Sequence, residues 1–482
     1  MKLDIKLAVI LFAIFLSTGC DKIKNRLQDE SPVTFLFLYT NDEHGHIYEK
    51  DGWYKGAELN EMWEEEEKAC EGCVVFKISG GDNYTGSSVS SLFDGESMAE
   101  IMGIVDYQVS AVGNHEFDFG IQSFESNRVA SGVEYLSSNI IFSDLKNAFL
   151  PSLMFDSPGG KVSFIGSTTE ELKQIAFASY LKNVRVMKPE GPVGRELIKN
   201  RDIADFQILI AHESMDSAKS WVPDISEKPL IVFTGHDHSE LIKNYNDILF
   251  VQTSGSLKSY ARIEVVKKNG RVFVTKADII ALRNQGGFKA KNSLRIKEIT
   301  DGYLEKLEKK AGQHLIKAAK PFEFESFQKL YACSLLNAFP EYEVAMSNPG
   351  AFRDSINAGV VKKSDIISML PFQNRIVLSS IKGKDLIYDL NLSGESYCGV
   401  KKENAKWLFH GSVVESERKY NAVIHEYIYS GGDYYKFIVD DADNQITSRD
   451  WREPLERYLI QSSAGGLSLE EAYAGLMIRY ER

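Results

Sequence analysis

The stretch SAVGNHEFDFG, residues Ser110–Gly120, decides the fold, because a strand-like run ends in it among polar groups. The run Tyr107–Val112 (YQVSAV) is β-like, and it stops at Gly113. An asparagine, a histidine, a glutamate and an aspartate follow at once. A turn at this point needs only the glycine and the asparagine. The further polar groups therefore indicate a functional site at the end of a strand.

Four other strand-like runs end in the same way. Their polar followers are Asp42 and His44 after Thr34–Tyr39, Asp82 after Val74–Ser79, His212 after Phe206–Ala211, and His236 and His238 after Leu230–Thr234. In α/β folds the carboxyl ends of such strands converge on one edge, where ligands bind. The sequence therefore predicts one site built by five separate loops.

The residue types in these loops indicate a metal centre. Imidazole, carboxylate and amide donors without thiolates suit Zn, Mn or Fe better than they suit a structural zinc cage. Seven or eight such groups are too many for one ion. Two divalent ions roughly 3.5–4 Å apart, bridged by a carboxylate, would use them all and would clamp both oxygens of an in-line phosphoryl displacement.

The order D-x-H, G-D, G-N-H-E, H, G-H-x-H resembles the calcineurin-like metallophosphatases. The motif GNHEFDFG together with the C-terminal segment resembles the 5′-nucleotidase family more narrowly, over nearly the whole chain after residue 31. This resemblance implies an α/β fold, in which a four-layer α-β-β-α metallophosphatase sandwich precedes a smaller α/β substrate-binding domain.

The resemblance also implies a role for each polar residue that follows a strand-like run. Its implied metal ligands are Asp42, His44 and His238 for one ion, Asn114, His212 and His236 for the other, and Asp82 as the bridge. His115 would stabilise the developing charge and assist the leaving oxygen, and Asp118 would orient His115. The intervening His46, Glu116 and Asp237 are interpreted as supporting or merely local residues.

Three segments of the C-terminal half resemble the substrate-binding loops of that family: Ser347–Gly359 (SNPGAFRDSINAG), Leu370–Asn374 (LPFQN) and Tyr427–Phe437 (YIYSGGDYYKF). The implied roles are stacking on a nucleobase by Phe372 and Tyr427, a phosphate contact by Arg353, and hydrogen bonds to ribose or base from Asn348 and Asp433. The aromatic side chains on their own are equally compatible with core packing.

Two departures from the family pattern bear on specificity. The usual N-x-G-G-[IF]-R is NPGAFR here, so Pro349 and Ala351 stiffen a glycine-rich loop. A second segment normally begins with an arginine and contains a Gly-Asn pair, but the arginine position falls near Phe322 and the pair is missing. The hydrolytic centre is unaffected by these changes, whereas the choice of nucleotide is left open.

Length and charge set the organisation of the chain. Its 482 residues allow at least two domains, and the net charge of −12 argues against binding nucleic-acid polymers. The predicted divisions are a signal peptide at 1–19, a lipidated cysteine and tether at 20–31, a metallophosphatase domain at 32–285, a linker helix at 290–320 and a 5′-nucleotidase-like domain at 321–482.

The N-terminal segment is typical of export. Two lysines precede the apolar run Leu7–Leu16, which is too short for a permanent membrane helix and fits a secretory signal. Its ending LSTGC resembles a bacterial lipobox, which implies cleavage before Cys20 and a lipid anchor; an ordinary signal peptide is the alternative. Asp21 resembles the signal that keeps lipoproteins in the inner membrane, which would place the protein on its periplasmic face in a Gram-negative organism.

Four cysteines remain after Cys20, and export permits disulfides among them. Cys70 and Cys73 (CEGC) are interpreted as a small structural disulfide rather than a redox pair or a zinc half-site. Cys333 and Cys398 either pair with each other or are two buried thiols, and the sequence leaves both possibilities open.

The leading expectation is a membrane-tethered, extracytoplasmic metallophosphoesterase that removes phosphate from a small nucleotide. The first alternative is a phosphodiesterase acting on 2′,3′-cyclic nucleotides or nucleotide sugars, which would share every metal ligand. The second is a binding lipoprotein without catalysis, which the complete ligand set argues against.

Overall fold

The computed structural model describes residues 31–143, 149–441 and 444–480. The predicted signal peptide and Cys20 lie outside these residues. None of the helices in the described ranges combines the length and the apolar character that crossing a bilayer requires.

Two six-stranded sheets form the N-terminal part of the molecule. The first sheet has the spatial order Arg271–Ala281, Ser259–Lys268, Val33–Thr40, Val74–Ser79, Val109–Ala111, Glu134–Leu136. The second has the order Leu241–Tyr245, Ile248–Gln252, Ile231–Thr234, Phe206–His212, Gly160–Thr168, Ser152–Ser157. The central strands of both sheets run parallel, so their carboxyl ends share an edge.

The two sheets pack face to face because their strands are apolar on both sides. In Val33–Thr40, the alternate residues Phe35, Phe37 and Tyr39 enter the core between the sheets. Leu36 and Leu38 instead join a separate core under the flanking helices. A strand buried on both faces loses the usual apolar–polar alternation, which explains the continuous apolar run TFLFLY.

Helices cover the outer face of each sheet. The first sheet is covered by Lys55–Ala69, Glu96–Val105, Gly120–Ser131 and Lys291–Ala311. The second is covered by Glu190–Asn200 and Met215–Trp221. The order helix, sheet, sheet, helix confirms the predicted four-layer sandwich. Shorter elements complete this part: helices Ser88–Ser91 and Leu172–Ile175, the 3₁₀ turns His115–Phe117 and Val222–Asp224, and the strand pair Ile140–Phe142 and Val184–Val186.

The helix predicted between the two halves ends earlier than the helical spacing suggested. It spans Lys291–Ala311, and its residues Ile296, Tyr303 and Leu307 are buried against the first sheet's helices. His314–Ala318 forms a strand that pairs with Gly359–Lys362, so the predicted helix over 290–320 is wrong after Ala311. The edge strand supplied by Gly359–Lys362, a long-range partner, overrides the local preference.

The C-terminal part is built on a five-stranded mixed sheet. Its order is Tyr397–Cys398, Val344–Met346, Lys419–His425, Arg375–Lys382, Gln445–Asp450. The surrounding helices are Phe324–Ala338, Lys363–Met369, Gly383–Leu392, Glu426–Tyr429, Phe437–Asp440, Glu453–Ala464 and Leu469–Tyr480. Pro349–Ala351 and Gly432–Tyr434 are 3₁₀ turns, and Lys401–Glu403, Lys406–Phe409 and Ser412–Val413 form a small separate sheet.

Both candidate cysteine pairs are disulfides in the structure. Cys70 joins Cys73 just after the helix Lys55–Ala69, as the preferred interpretation of CEGC has it. Cys333 joins Cys398, which ties the helix Phe324–Ala338 to an edge strand of the C-terminal sheet. The open question of this second pair is therefore answered in favour of pairing.

Candidate metal centre and substrate cleft

The five predicted loops meet at the shared edge of the two sheets. Asp42, His44, Asp82, Asn114 and His115 follow strands of the first sheet, and His212, His236 and His238 come from the second. A hydrogen bond connects the two sheets there, since the Tyr39 hydroxyl donates to the carbonyl of Thr234 at 2.6 Å. Parallel strands from two packed sheets thus bring distant residues to one place.

Asp42, His44 and His238 form the first cluster, with their ligand atoms within 4.8 Å of one another. The Nδ1 of His44 is 2.6 Å from the carbonyl of Thr85, to which it donates, so its Nε2 carries the lone pair of the neutral ring. This Nε2 lies 3.1 Å from the Nε2 of His238. Burial, together with the neighbouring imidazoles, lowers the pKa of His44 and favours the neutral form that binds metals.

Asp82, His212 and His236 form the second cluster. His212 donates from Nδ1 to the carbonyl of Gly80 at 2.8 Å, and its Nε2 lies 3.1 Å from Asp82 Oδ2 and 3.3 Å from Asn114 Oδ1. Burial lowers the pKa of His212, but the charges of Asp82, Asp42 and Glu116 and the hydrogen bond to Asp82 together outweigh burial and raise the pKa to about 10. The site therefore favours a positive charge between these groups, a demand that a divalent cation also meets.

The backbone of the ligand loops fits a metal centre as well. The φ angles of Asp42, His44, Asp82, His236 and His238 are all positive, at 52°, 48°, 59°, 79° and 55°. Such angles are uncommon outside glycine and cluster at functional sites. Gly113 is needed for close approach, because a Cβ there would lie 2.2 Å from Asp82 Oδ1. The donor types, the facing lone pairs and this geometry all suit two divalent ions.

His115 lies beside both clusters without belonging to either. Its backbone N–H donates to Asp82 Oδ1 at 2.8 Å, and its Nδ1 is 2.7 Å from Asp118 Oδ2. Burial lowers the pKa of His115, but the charges of Asp118 and Asp82 outweigh it and raise the pKa. The Nε2 atom faces the cleft, 3.1 Å from Nη2 of Arg353 on the C-terminal half.

Two buried carboxylates hold the ligand loops in place through hydrogen bonds: Glu116, which was interpreted as supporting or merely local, and Glu43, to which the sequence analysis gave no role. Glu116 accepts backbone N–H groups from Asp82, Asn83 and Gly113 at 2.6–2.9 Å. Glu43 accepts from side chains instead: the hydroxyls of Thr40 and Ser79 and the amide of Asn83. Burial raises the pKa of Glu116 to about 8 and that of Glu43 to about 7. The charge of Asp82 adds to the shift of Glu116.

A cleft opens from the metal clusters toward the C-terminal half and contains all five predicted substrate residues, namely Asn348, Arg353, Phe372, Tyr427 and Asp433. Phe372 stacks on His115, with ring centroids 5.6 Å apart. Asp433 accepts hydrogen bonds from Tyr427 Oη and Asn348 Nδ2, both at 2.7 Å. The structure also brings Phe177, Asn374 and His425 into the cleft lining, which sequence reasoning missed.

Residues 35–240 match the family described as calcineurin-like phosphoesterase, and residues 319–402 match the 5′-nucleotidase C-terminal domain. A 5′-nucleotidase of Vibrio parahaemolyticus is 24% identical over 91% of each chain. These matches confirm the predicted resemblance to the 5′-nucleotidase family. The protein is accordingly a phosphoric-ester hydrolase.

The fold of the chain agrees with solved structures. A 5′-nucleotidase precursor from Thermus thermophilus superposes with a TM-score of 0.75 at 17% identity, covering 89% of this chain and 96% of the other. A sulfate thiohydrolase, SoxB, from Thermus thermophilus gives 0.72 at 14% identity, covering 88% and 94%. Because SoxB has the same fold and is named for a different activity, the fold alone does not fix the substrate.

The departure at Phe322 from the 5′-nucleotidase pattern is visible in the structure. Phe322 is buried in the C-terminal core, edge-on to Tyr473, and does not line the cleft. Among the described residues that line the cleft, Arg353 carries the one guanidinium. The cleft therefore offers less positive charge to a phosphate than the family pattern implies.

Proposed function

We propose that the protein hydrolyses nucleotides to nucleoside and phosphate outside the cytoplasm, using two divalent metal ions. The observation that carries the proposal is a single cleft whose lining includes members of both Asp/His clusters together with Phe372 and Tyr427. In this proposal the chemistry belongs to residues 32–285 and substrate recognition to residues 321–482.

Seven side chains would hold the two ions. Asp42, His44 and His238 would bind one ion, Asn114, His212 and His236 the other, and Asp82 would contact both. When bound, the ions would supply an activated water molecule and neutralise charge on the phosphoryl group. The water oxygen forms the new bond to phosphorus, and the ester bond to the leaving oxygen breaks.

His115 is proposed to protonate the leaving oxygen from Nε2. Its Nδ1–H is held by Asp118, so Nε2 is the nitrogen that faces the cleft. Arg353 occupies the space in front of Nε2, and a guanidinium can only donate. A substrate oxygen that accepts from both His115 and Arg353 would take the place of this direct contact.

The part of the cleft lined by residues of the C-terminal half is proposed to bind the nucleoside. Phe372 and Tyr427 provide aromatic surfaces that stack on any nucleobase. Asp433 and Asn348 would hydrogen-bond the ribose or the base. An extracytoplasmic location is supported by the N-terminal segment that resembles a lipoprotein signal and by two disulfides.

The loss of the expected arginine favours one alternative substrate class. A phosphodiester carries one negative charge where a terminal phosphate carries up to two, and Arg353 is the one guanidinium of the described cleft lining. A 2′,3′-cyclic nucleotide would place less charge against it, whereas a nucleotide sugar carries two negative charges on its diphosphate. The metal clusters serve a phosphodiester equally well.

A substrate panel on the purified, metal-loaded protein tests the proposal. It compares nucleoside monophosphates, 2′,3′-cyclic nucleotides, nucleotide sugars, p-nitrophenyl phosphate and its bis-ester. Tyr427→Ala should lower kcat/KM for the preferred nucleotide by about 5- to 150-fold, the equivalent of 1–3 kcal/mol of stacking, and should leave the p-nitrophenyl ester unchanged.

Tyr434→Ala is the matched control, because Tyr434 is an exposed tyrosine on the same loop that does not line the cleft. Equal losses on nucleotide and p-nitrophenyl ester in Tyr427→Ala would contradict the assigned role. A wild-type protein with no preference for nucleotides over p-nitrophenyl esters would overturn the proposed substrate class.

A further inference from the structure

The lining of the cleft includes a histidine that no part of the proposed mechanism uses. His425 ends the strand Lys419–His425, two residues before Tyr427, and is 1% exposed although it lines the cleft. Its Nε2 lies 3.0 Å from the hydroxyl of Ser347. Its Nδ1 is buried and has no hydrogen-bond partner among the described residues.

A second unpartnered atom belongs to the same cleft. Asn348 donates from Nδ2 to Asp433 Oδ2 at 2.7 Å, and this bond fixes the orientation of the amide, since the flipped amide would set two acceptors against each other. The remaining Oδ1 is buried and lacks a partner within the described part of the chain. It can only accept, so it is suited to a donor on a bound molecule.

Unpartnered buried polar atoms are costly, at about 1–3 kcal/mol each, and native proteins contain few of them. Two such atoms lining one cleft are explained together if a bound molecule supplies both partners. The neighbours hold the histidine ring in place for this purpose. Trp451 packs against it at a centroid distance of 4.8 Å, and the Tyr427 ring lies parallel to it at 6.3 Å.

We propose that His425 is a specificity-determining residue that hydrogen-bonds the polar edge of the substrate's nucleobase through Nδ1, while Asn348 Oδ1 accepts from a donor group of the same nucleoside. The inference rests on the proposed function, because it assumes that the ring between Phe372 and Tyr427 is a nucleobase.

The hydrogen bond between His425 and Ser347 lets Nδ1 of His425 either donate to the base or accept from it. Burial lowers the pKa of His425 to about 3, so the ring is neutral and has one donating and one accepting nitrogen. The Ser347 hydroxyl can either accept from Nε2 or donate to it. Nδ1 is therefore an acceptor in the first case and a donor in the second, and bases with a 6-amino or a 6-oxo edge should both be bound.

Two substitutions separate the contact with the base from the contact with Ser347. The amide of Asn reaches the position of Nδ1, whereas the amide of Gln reaches the position of Nε2. His425→Asn should therefore keep the contact with the base and lose Ser347, and His425→Gln should do the opposite. An asparagine amide also offers either a donor or an acceptor, as the imidazole does.

The readouts are equilibrium binding of adenosine and inosine by calorimetry, and kcat/KM for AMP, IMP and p-nitrophenyl phosphate. We expect His425→Gln to weaken binding of both nucleosides by about 5- to 150-fold and to lower kcat/KM for both nucleotides similarly. The p-nitrophenyl ester should be hydrolysed at the wild-type rate. His425→Asn should stay within a few-fold of wild type in every assay.

Wild-type binding in His425→Gln, or equal losses in both variants, would overturn the assignment and leave His425 as a structural partner of Ser347. A wild-type protein that binds no nucleoside and does not prefer nucleotides would overturn the proposed function and this inference together. Wild-type nucleotide activity combined with an unaffected His425→Gln variant would overturn the inference alone.

Discussion

Glu116→Gln tests whether the carboxylate beneath the metal clusters positions their ligands. The two oxygens of Glu116 accept three backbone N–H groups, from Asp82 and Gly113 on Oε2 and from Asn83 on Oε1. A glutamine presents one oxygen and one NH₂ group, so at least one backbone N–H must face another donor. The best amide orientation keeps the contacts to Asp82 and Gly113 and loses the contact to Asn83.

The magnitude follows from the lost contact. At about pH 9, above its pKa of about 8, Glu116 is ionised, so the substitution removes one charge-assisted hydrogen bond and leaves one buried N–H unsatisfied. Together these losses should lower the free energy of unfolding at that pH by about 2–4 kcal/mol. The loosened loops carry Asp82 and Asn114, so the affinity for divalent metal should fall by about 10- to 100-fold. Urea denaturation of the metal-free protein measures the first quantity, and a calorimetric titration with Zn²⁺ or Mn²⁺ measures the second.

Glu43→Gln is the matched control, because Glu43 is equally buried but takes its hydrogen bonds from side chains. The hydroxyls of Thr40 and Ser79 can turn to accept from a glutamine NH₂, which backbone N–H groups cannot do. We therefore expect a clearly smaller effect at position 43. Equal effects at both positions would refute the reasoning, and wild-type behaviour of Glu116→Gln would show that Glu116 is neutral in the native protein.

His115→Ala should keep the fold and the bound metal and lower kcat by about two orders of magnitude or more, and loss of metal, measured by elemental analysis, would show that His115 is a ligand. Asp82→Ala should remove most bound metal and nearly all activity, since Asp82 is proposed to contact both ions, and retention of half the activity would contradict the two-ion arrangement. The buried His425 should make the stability of the protein depend on pH. Its pKa is about 3 in the folded protein and near 6.5 in the unfolded chain, so the unfolded chain binds more protons between these pH values. The free energy of unfolding should therefore fall as the pH is lowered from about 6.5 toward 3. Urea denaturation at several pH values in that range should show that the free energy of unfolding depends less steeply on pH in His425→Asn than in the wild type. The same pH dependence in both proteins would contradict the low pKa assigned to His425.

The sequence was sufficient for the layered fold and for the gathering of the polar loops. Both follow from local signals, namely apolar β-branched runs such as Phe206–Ala211 and a polar residue just after each run. The rule that parallel strands end at a common edge then places these residues together without further information. Neither step depends on knowing which strand pairs with which.

The missed features depend on contacts between distant parts of the chain. Glu116 was interpreted only as supporting or merely local, because its partners Asp82 and Asn83 lie 34 and 33 positions away. His425 has its partner Ser347 at a separation of 78. A histidine or glutamate of this kind carries no local signal of its use, since the same residue in a surface loop has the same sequence neighbours.

The motif GHDH shows how local spacing and long-range geometry combine at this site. His236 belongs to the second cluster and His238 to the first, so one short loop serves both. Both histidines have positive φ, and between them Asp237 bonds Gln252. Asp42 and His44 have the same spacing, but both belong to the first cluster. The intervening Glu43 accepts hydrogen bonds from Ser79 and Asn83. Aspartate and histidine tolerate left-handed backbone better than most residues, so the types that bind metal are also types that fit these turns. The sequence motif therefore specifies the candidate ligand and the turn together, and the opposing sheets decide which cluster each side chain joins.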